Sequence, residues 1–369
     1  MKILCVHQGA ELYGSDRSFA LSIKTLRDKY PAAEITVVLP CTGDLVPLLE
    51  PYIDHLQIAD VGTMQRSDFR NPLSIAKKIF SSAYKAWKNI RKYDVVYMNT
   101  IVVFSYMIAS VFTNKLTINH VREIPGKKEG LIFSLLFRLN RSHLIFNSKY
   151  TQDSFSFLSK ERSYVVLNGV LGPTEIPIQA SESTFNILLI GRINAWKGQI
   201  LALEAIKSLA KKYPVIRLRI VGGTAERQEF YITDLIDSIK EHNLESIVKH
   251  YPFQSDPTEH FRWSNISLVP STKPEPFGRV AIESLAFGRP VIASNHGGLI
   301  EIIDGDVGGY LFKNNDAIDL ALKISALIDD KNLMSEKSKE ASKCFNSRFS
   351  EDVYVEKFST TFDRVLQKG

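Results

Sequence analysis

Short apolar runs alternate along the whole chain with stretches whose apolar residues recur every three or four positions. Runs at residues 3–6, 35–39, 95–98, 116–119 and 144–146 are of the first kind, and runs at 186–190, 218–221, 248–251, 266–269 and 291–293 repeat the pattern. A run that is apolar at every position suits a strand buried on both faces, as in a parallel sheet covered by helices. The alternation therefore predicts βαβ units and an α/β fold. At 369 residues the chain exceeds one average core and suits two domains. Their boundary is expected within 168–183, where Gly172-Pro173-Thr174-Glu175-Ile176-Pro177 has linker composition.

Composition narrows the class without naming a function. Hydrophobic residues make up 44% and charged residues 23%, ordinary for a globular protein in water. The net charge of +6 is a modest excess. It fits an anionic partner, whether a nucleoside diphosphate, an acidic lipid or a nucleic acid, and does not choose among them. The three cysteines, Cys5, Cys41 and Cys344, are far apart and form no C-x-x-C pair. Neither a disulfide framework nor a zinc site is implied, and a reducing compartment fits. The apolar run at 1–6 is too short for a signal peptide, and the one at 101–112 falls short of the ~20 residues that span a bilayer. A cytoplasmic protein is expected. Residues 70–92 carry seven cations and no acid, with Phe80, Tyr84 and Trp87 interleaved. Such a helix lies on anionic lipid, or it covers the sheet through Ile79, Ala83, Trp87 and Ile90 with a solvated basic face. A second basic and apolar stretch occupies 127–141.

Two acids, Glu275 and Glu283, stand seven residues apart in Lys273-Pro274-Glu275-Pro276-Phe277-Gly278-Arg279-Val280-Ala281-Ile282-Glu283. Pro274, Pro276 and Gly278 oppose helix at the first acid. The spacing of Val280, Ile282, Leu285 and Ala286 predicts a helix that starts between Phe277 and Arg279. Its first N–H groups lie beside both acids. N–H groups and a helix dipole favour phosphate, while carboxylates accept from hydroxyls. A nucleotide sugar offers both groups.

Gly191-Arg192-Ile193-Asn194-Ala195-Trp196-Lys197-Gly198 follows a predicted strand directly, which is where parallel sheets bind ligands. Gly222-Gly223 follows the next strand, and Tyr251-Pro252-Phe253-Gln254 the one after. In the first half, Gly9 to Ser18 joins the first strand to the first helix, with Gly14 open to close backbone approach and Ser15 or Asp16 as a cap. Asn119-His120-Val121-Arg122-Glu123 ends another strand.

These segments together resemble retaining glycosyltransferases of family 4, which have the GT-B architecture of two Rossmann-like domains facing across a cleft. The run around Glu275 and Glu283 matches the family's E-x7-E element. The likeness is strong over 186–312 and weaker, though in register, before it. It implies an N-terminal acceptor domain at 1–170, a nucleotide-sugar domain at 171–350, and a C-terminal helix, 351–369, packing back on the first. The matching residues imply that Glu275 contacts the donor sugar, Glu283 holds the ribose, and Arg192 with Lys197 offsets charge on the diphosphate. His120 would lie beside the sugar. Phe277, Gly278, Arg279, Gly14, Gly191, Gly222 and Phe253 would line the donor. Phe253 stands where many relatives have small residues, so the base stays open between UDP and GDP. Gly14-Ser15-Asp16-Arg17 departs from the family's Gly-Gly-x-Glu, which leaves the contacts there open.

The resemblance further implies no cofactor beyond the nucleotide sugar and no metal. Asp304-Gly305-Asp306 imitates a D-x-D metal motif but sits among turn residues. His296 and Glu301, in Asn295-His296-Gly297-Gly298-Leu299-Ile300-Glu301, are expected at the surface and as a structural cap. The expected partners are a nucleotide-sugar donor, a glycan or lipid-linked acceptor, and an anionic membrane touched peripherally, with no nucleic acid. Surface polysaccharide or lipopolysaccharide assembly would use such a reaction. A hydrolysing nucleotide-sugar 2-epimerase and a non-catalytic nucleotide-sugar-binding protein share the architecture. A dinucleotide-dependent oxidoreductase would need G-x-G-x-x-G after the first strand, and the chain lacks it.

Overall fold

A computed structural model describes residues 1–63, 72–155, 158–173 and 183–368, with backbone alone for 72–78. The chain divides into two units, one of Met1–Asn168 with Tyr354–Gly369 and one of Gly169–Val353. The linker stretch 174–182 and the basic residue Arg70 lie outside the described residues.

In chain order, unit 1 contains β1 (Lys2–Val6), α1 (Gly14–Lys29), β2 (Glu34–Leu39), α2 (Val46–Leu49), β3 (His55–Ile58), α3 (Pro72–Ile90) and β4 (Val95–Asn99). It continues with α4 (Phe104–Val111), β5 (Leu116–Val121), α5 (Lys127–Leu139), β6 (His143–Phe146), α6 (Lys149–Asp153) and β7 (Ser163–Val165). Its seven strands are parallel, in the order β3-β2-β1-β4-β5-β6-β7. The order reverses direction between β1 and β4, because β1 continues outward to β2 while β4 starts the other half. Such a switch point separates two loops at the carboxyl edge and leaves a crevice there.

Unit 2 runs through β8 (Phe185–Ile190), α7 (Gln199–Ala210), β9 (Ile216–Val221), α8 (Phe230–Glu241), β10 (Val248–Tyr251), α9 (Thr258–Trp263) and β11 (Ile266–Val269). Then come α10 (Arg279–Ala286), β12 (Val291–Ser294), α11 (Leu299–Ile302), β13 (Gly309–Phe312), α12 (Ala317–Asp329), α13 (Lys331–Arg348) and the start of α14 (Glu351–Leu366). Its sheet is again parallel, in the order β10-β9-β8-β11-β12-β13, with the switch point between β8 and β11.

Each sheet is apolar on both faces, which is why its strands read as unbroken runs. On one face of unit 1, α1 and α14 supply Phe19, Ile23, Tyr354, Phe358 and Phe362. On the other, α3, α4 and α5 supply Ile90, Met107, Phe133 and Phe137. Full burial of side chains of this size contributes ~1.5–3 kcal/mol each. The architecture is therefore the expected α/β one, with two Rossmann-like domains. Three strands have no counterpart among the predicted runs: β3, β7 and β13, all at sheet edges.

Candidate functional site

The switch point of unit 2 gathers the residues with the most chemistry. The loop after β8 carries Arg192 and Lys197; the loop after β11 carries Ser271 and Glu275. Asn194 accepts from the backbone N–H groups of Trp196 and Lys197 at 3.1 and 3.0 Å, which coils the first loop. The Thr272 N–H donates to the Trp196 carbonyl at 2.8 Å and joins the two loops. Lys197 Nζ then lies 2.7 Å from Glu275 Oε1 and 4.6 Å from the Trp196 ring centroid. The Ser271 hydroxyl donates to the same carboxylate oxygen. Glu275 is only 6% exposed. Burial pushes its carboxyl up, but the Lys197 charge and hydrogen bond, Ser271 and the nearby His296 together hold it below the usual carboxylate range. It is an ionised acid in a dry setting, partnered by a cation that keeps two of its three N–H donors for other uses.

Glycine is required around this pair. Gly297 has φ of 66°, and a Cβ there would stand 2.4 Å from the Glu275 carbonyl oxygen. The neighbouring Gly298 N–H donates to that carbonyl at 2.8 Å. A Cβ at Gly222 would stand 1.9 Å from the Gly191 oxygen, so the loops after β8 and β9 meet backbone to backbone. Gly191 N–H donates to Val221 and Ile193 N–H to Gly223, at 3.0 and 2.8 Å.

Helix α10 starts at Arg279, within the predicted interval. Glu283 and Arg279 pair along one helix face at 2.8 Å, each about one-fifth exposed. The backbone N–H groups of Phe277 and Gly278 have no hydrogen-bond partner among the described residues. The Phe277 side chain packs inward. It is 3% exposed and meets Phe349 at 6.1 Å between centroids, so only its backbone is available. Phe253 is 42% exposed at the end of β10. His296, expected at the surface, is half-buried beside Glu275; burial lowers its pKa. Ser271 and His296 were missed as partners of the acid. A polar residue directly after an apolar run is the signal that marks Ser271.

His120 and Gly14 lie in unit 1. Gly14 opens α1 and is exposed. His120 is fully buried. It belongs to a polar chain at the carboxyl edge of β1, β4 and β5. Arg122 Nε donates to Asn99 Oδ1 at 2.7 Å, which fixes the amide, and Asn99 Nδ2 donates to His7 Nδ1 at 2.9 Å. The His7 proton is therefore on Nε2, which donates to Asp16 Oδ1 at 2.7 Å. Arg122 Nη2 also lies 3.2 Å from His120 Nδ1, and the Tyr97 hydroxyl oxygen lies 2.8 Å from the same nitrogen. Burial and the Arg122 charge hold His120 well below its ordinary pKa, so it is neutral. Arg122 Nη1 donates to Asn168 Oδ1, and Tyr97 joins through His120 and Ser22. Asp16 caps α1 from within, accepting the Tyr13 N–H at 2.9 Å. At the end of β4, buried Thr100 has φ of 79°, a conformation that costs a β-branched residue of order 1–3 kcal/mol.

Glu123, beside Thr100, is half-buried overall with its carboxyl group enclosed. Burial pushes the carboxyl up to about 7, against the N–H groups of Ile101 and Arg122 that donate to it. From the ordinary value of 4.5 up to about 7, the folded chain holds a proton that the unfolded chain has released. Stability is greatest below that window and falls as pH rises through it, by roughly 3 kcal/mol. Glu123→Gln is expected to flatten this slope in urea melts between the two pH values; an unchanged slope would locate the titration elsewhere.

Among the described residues, no group of three or more His, Cys, Asp or Glu side chains is placed to hold a metal ion. Asp304 and Asp306 form a short turn, in which Asp306 Oδ1 accepts the Leu311 N–H at 3.2 Å.

Residues 174–344 match the family model described as glycosyl transferases group 1. An uncharacterised glycosyltransferase of Methanocaldococcus jannaschii is 28% identical over 279 residues, 72% of this chain and 76% of that protein. A D-inositol 3-phosphate glycosyltransferase of Corynebacterium kroppenstedtii is 29% identical over 198 residues, and the match spans 53% of this chain and 43% of that protein. HepE of Anabaena, solved with UDP and glucose, superposes with a TM-score of 0.81 at 24% identity, over 98% of this chain and 99% of that one. The likeness to group 1 glycosyl transferases thus spans the unit that holds the Lys197–Glu275 pair, and the full chain shares its two-domain GT-B fold with solved structures.

Proposed function

We propose that the chain is a retaining glycosyltransferase. It moves a hexosyl unit from a nucleoside-diphosphate sugar, with UDP or GDP as carrier, to a hydroxyl of a glycan or lipid-linked oligosaccharide. The setting is surface polysaccharide or lipopolysaccharide assembly in the cytoplasm, with peripheral contact to the inner face of the membrane. One observation carries the reading: the half-buried Lys197 paired with buried Glu275, at 2.7 Å, at the switch point of the unit that matches group 1 glycosyl transferases. Unit 2 takes the donor and unit 1 the acceptor. Lys197 and Arg192 offset charge that builds on the departing diphosphate, where a positioned cation acts most strongly. Glu275 and the N–H groups of Phe277 and Gly278 orient the sugar. Glu283, released from Arg279, takes the ribose hydroxyls, and Arg279 turns to the donor. The acceptor oxygen attacks on the face from which the diphosphate leaves, through an oxocarbenium-like state, with no protein nucleophile and no metal.

A thermal-shift series with UDP, GDP, dTDP and ADP tests the donor site. One nucleotide is expected to raise the melting temperature, since a ligand at ~100 times its Kd adds ~2.7 kcal/mol. Its sugar should then be transferred to an acceptor in EDTA, with retained configuration. Stabilisation by none of the four would remove the donor site. Free epimerised sugar formed without acceptor would replace transfer with hydrolytic epimerisation, and binding without turnover would leave a nucleotide-sugar-binding protein.

A further inference from the structure

Helix α5 is apolar on two opposite faces. Gly130, Phe133, Ser134 and Phe137 point inward and are buried. Leu131, Ile132, Leu135 and Leu139 point outward and are 55%, 56%, 58% and 54% exposed. A helix at a protein surface normally turns polar side chains to water. Single exposed aliphatic side chains need no explanation, but four over three turns form a continuous stripe. The stripe has basic ends: Lys127 and Lys128 open the helix, and Arg138 and Arg141 close it, all exposed, with Glu129 the one acid in the helix. The same layer of unit 1 exposes more apolar surface. Phe80 and Tyr84 on α3 are 79% and 57% exposed, and Phe112 after α4 is 72% exposed. The Trp87 indole N–H donates to the Phe112 carbonyl at 3.1 Å and ties α3 to α4. Lys88 stacks on Tyr84 and Arg91 on Trp87, so this edge is basic as well.

The geometry points to the outer face of α5 as a surface that inserts into an anionic bilayer. Aliphatic side chains between cations fit the boundary between acyl chains and headgroups, where lysine and arginine stems lie along the apolar region and their charges reach phosphate. At 13 residues the helix is ~20 Å long, too short to span and suited to lie in the plane of the surface. No helix among the described residues is long and apolar enough to cross a membrane. The inference rests on the peripheral placement proposed above and not on transfer chemistry, so vesicle binding and turnover fail independently.

The test is co-sedimentation of the full chain with vesicles of equal parts phosphatidylglycerol and phosphatidylcholine, against phosphatidylcholine alone. Binding is expected to the first only, and to weaken between about 0.1 M and about 1 M NaCl, where the Debye length falls from about 10 Å to about 3 Å. Leu131→Ser with Leu135→Ser should lower the partition at least about tenfold with an unchanged melting temperature. Lys128→Glu with Arg138→Glu should remove the binding gained at low salt. Failure of the unaltered chain to bind anionic vesicles at low salt would overturn the proposal. So would equal binding by the double serine variant. Self-association without lipid, abolished by the same serines, would also overturn it and make the face an interface between copies.

Discussion

Lys197→Ala is expected to lower turnover by about 10²–10³ or more, the scale of removing one positioned group that meets charge in a transition state. The lysine has two linked tasks. Its Nζ, 2.7 Å from Glu275 Oε1, keeps a buried carboxylate ionised, and in the proposed reaction its charge offsets that of the departing diphosphate. Without it, burial, already the largest single influence on Glu275, loses its main offset, and the carboxyl pKa rises. The pH profile of the variant should therefore lose activity on the acid side at a higher pH than the unaltered chain. The cost to stability is smaller than for a fully dry pair, because the Lys197 side chain is 20% exposed and partly screened. Adding Glu275→Gln should restore stability, since the amide needs no cation, and leave turnover low. Nucleotide release and urea melts read the two effects apart. Turnover near the unaltered value would remove the site assignment.

His7→Ala should produce the largest loss of stability, roughly 3–5 kcal/mol, because it strips a buried charge of its partner. Asp16 is 4% exposed and His7 fully buried, and the Nε2–H to Oδ1 bond is 2.7 Å. The Asp16 carboxyl is pushed up by burial and held down overall by His7, with help from Tyr13 and Ser15. Alanine also leaves a cavity against Phe19, whose ring stacks on His7 at 4.6 Å, and takes away the acceptor of the Asn99 amide. His7→Ala with Asp16→Ala should cost less than the sum of the two single changes, as expected for groups in one network. An unfolding free energy for His7→Ala, from urea melts, within about 0.5 kcal/mol of the unaltered chain would show that water replaces the imidazole.

Strands buried on both faces were visible in the residue pattern, and so were the loops at their carboxyl ends. The three missed strands sit at sheet edges, where one side meets solvent and the run of apolar residues breaks: β3 and β7 have no buried residue. At β13, Tyr310 and Leu311 interrupt the burial. The loop positions of Glu275, Lys197 and Arg192 were legible because a parallel sheet must turn the loops after its strands toward its carboxyl edge. The burial of His120 and Phe277 was not legible. A histidine at a strand end looks the same in sequence whether the neighbouring elements leave it open or close over it, as Phe358 of α14 does at 6.0 Å.

Local chemistry along the chain was enough to set the alternation, the strand ends and the start of α10, since each depends on residues a few positions apart. The partners were decided only by folding. Lys197 meets Glu275 across 78 positions and Asn99 meets His7 across 92, and both meetings occur where strand order reverses. Ion pairing and burial act through distance in space, and that distance exists only after parallel strands have brought remote loops to one edge.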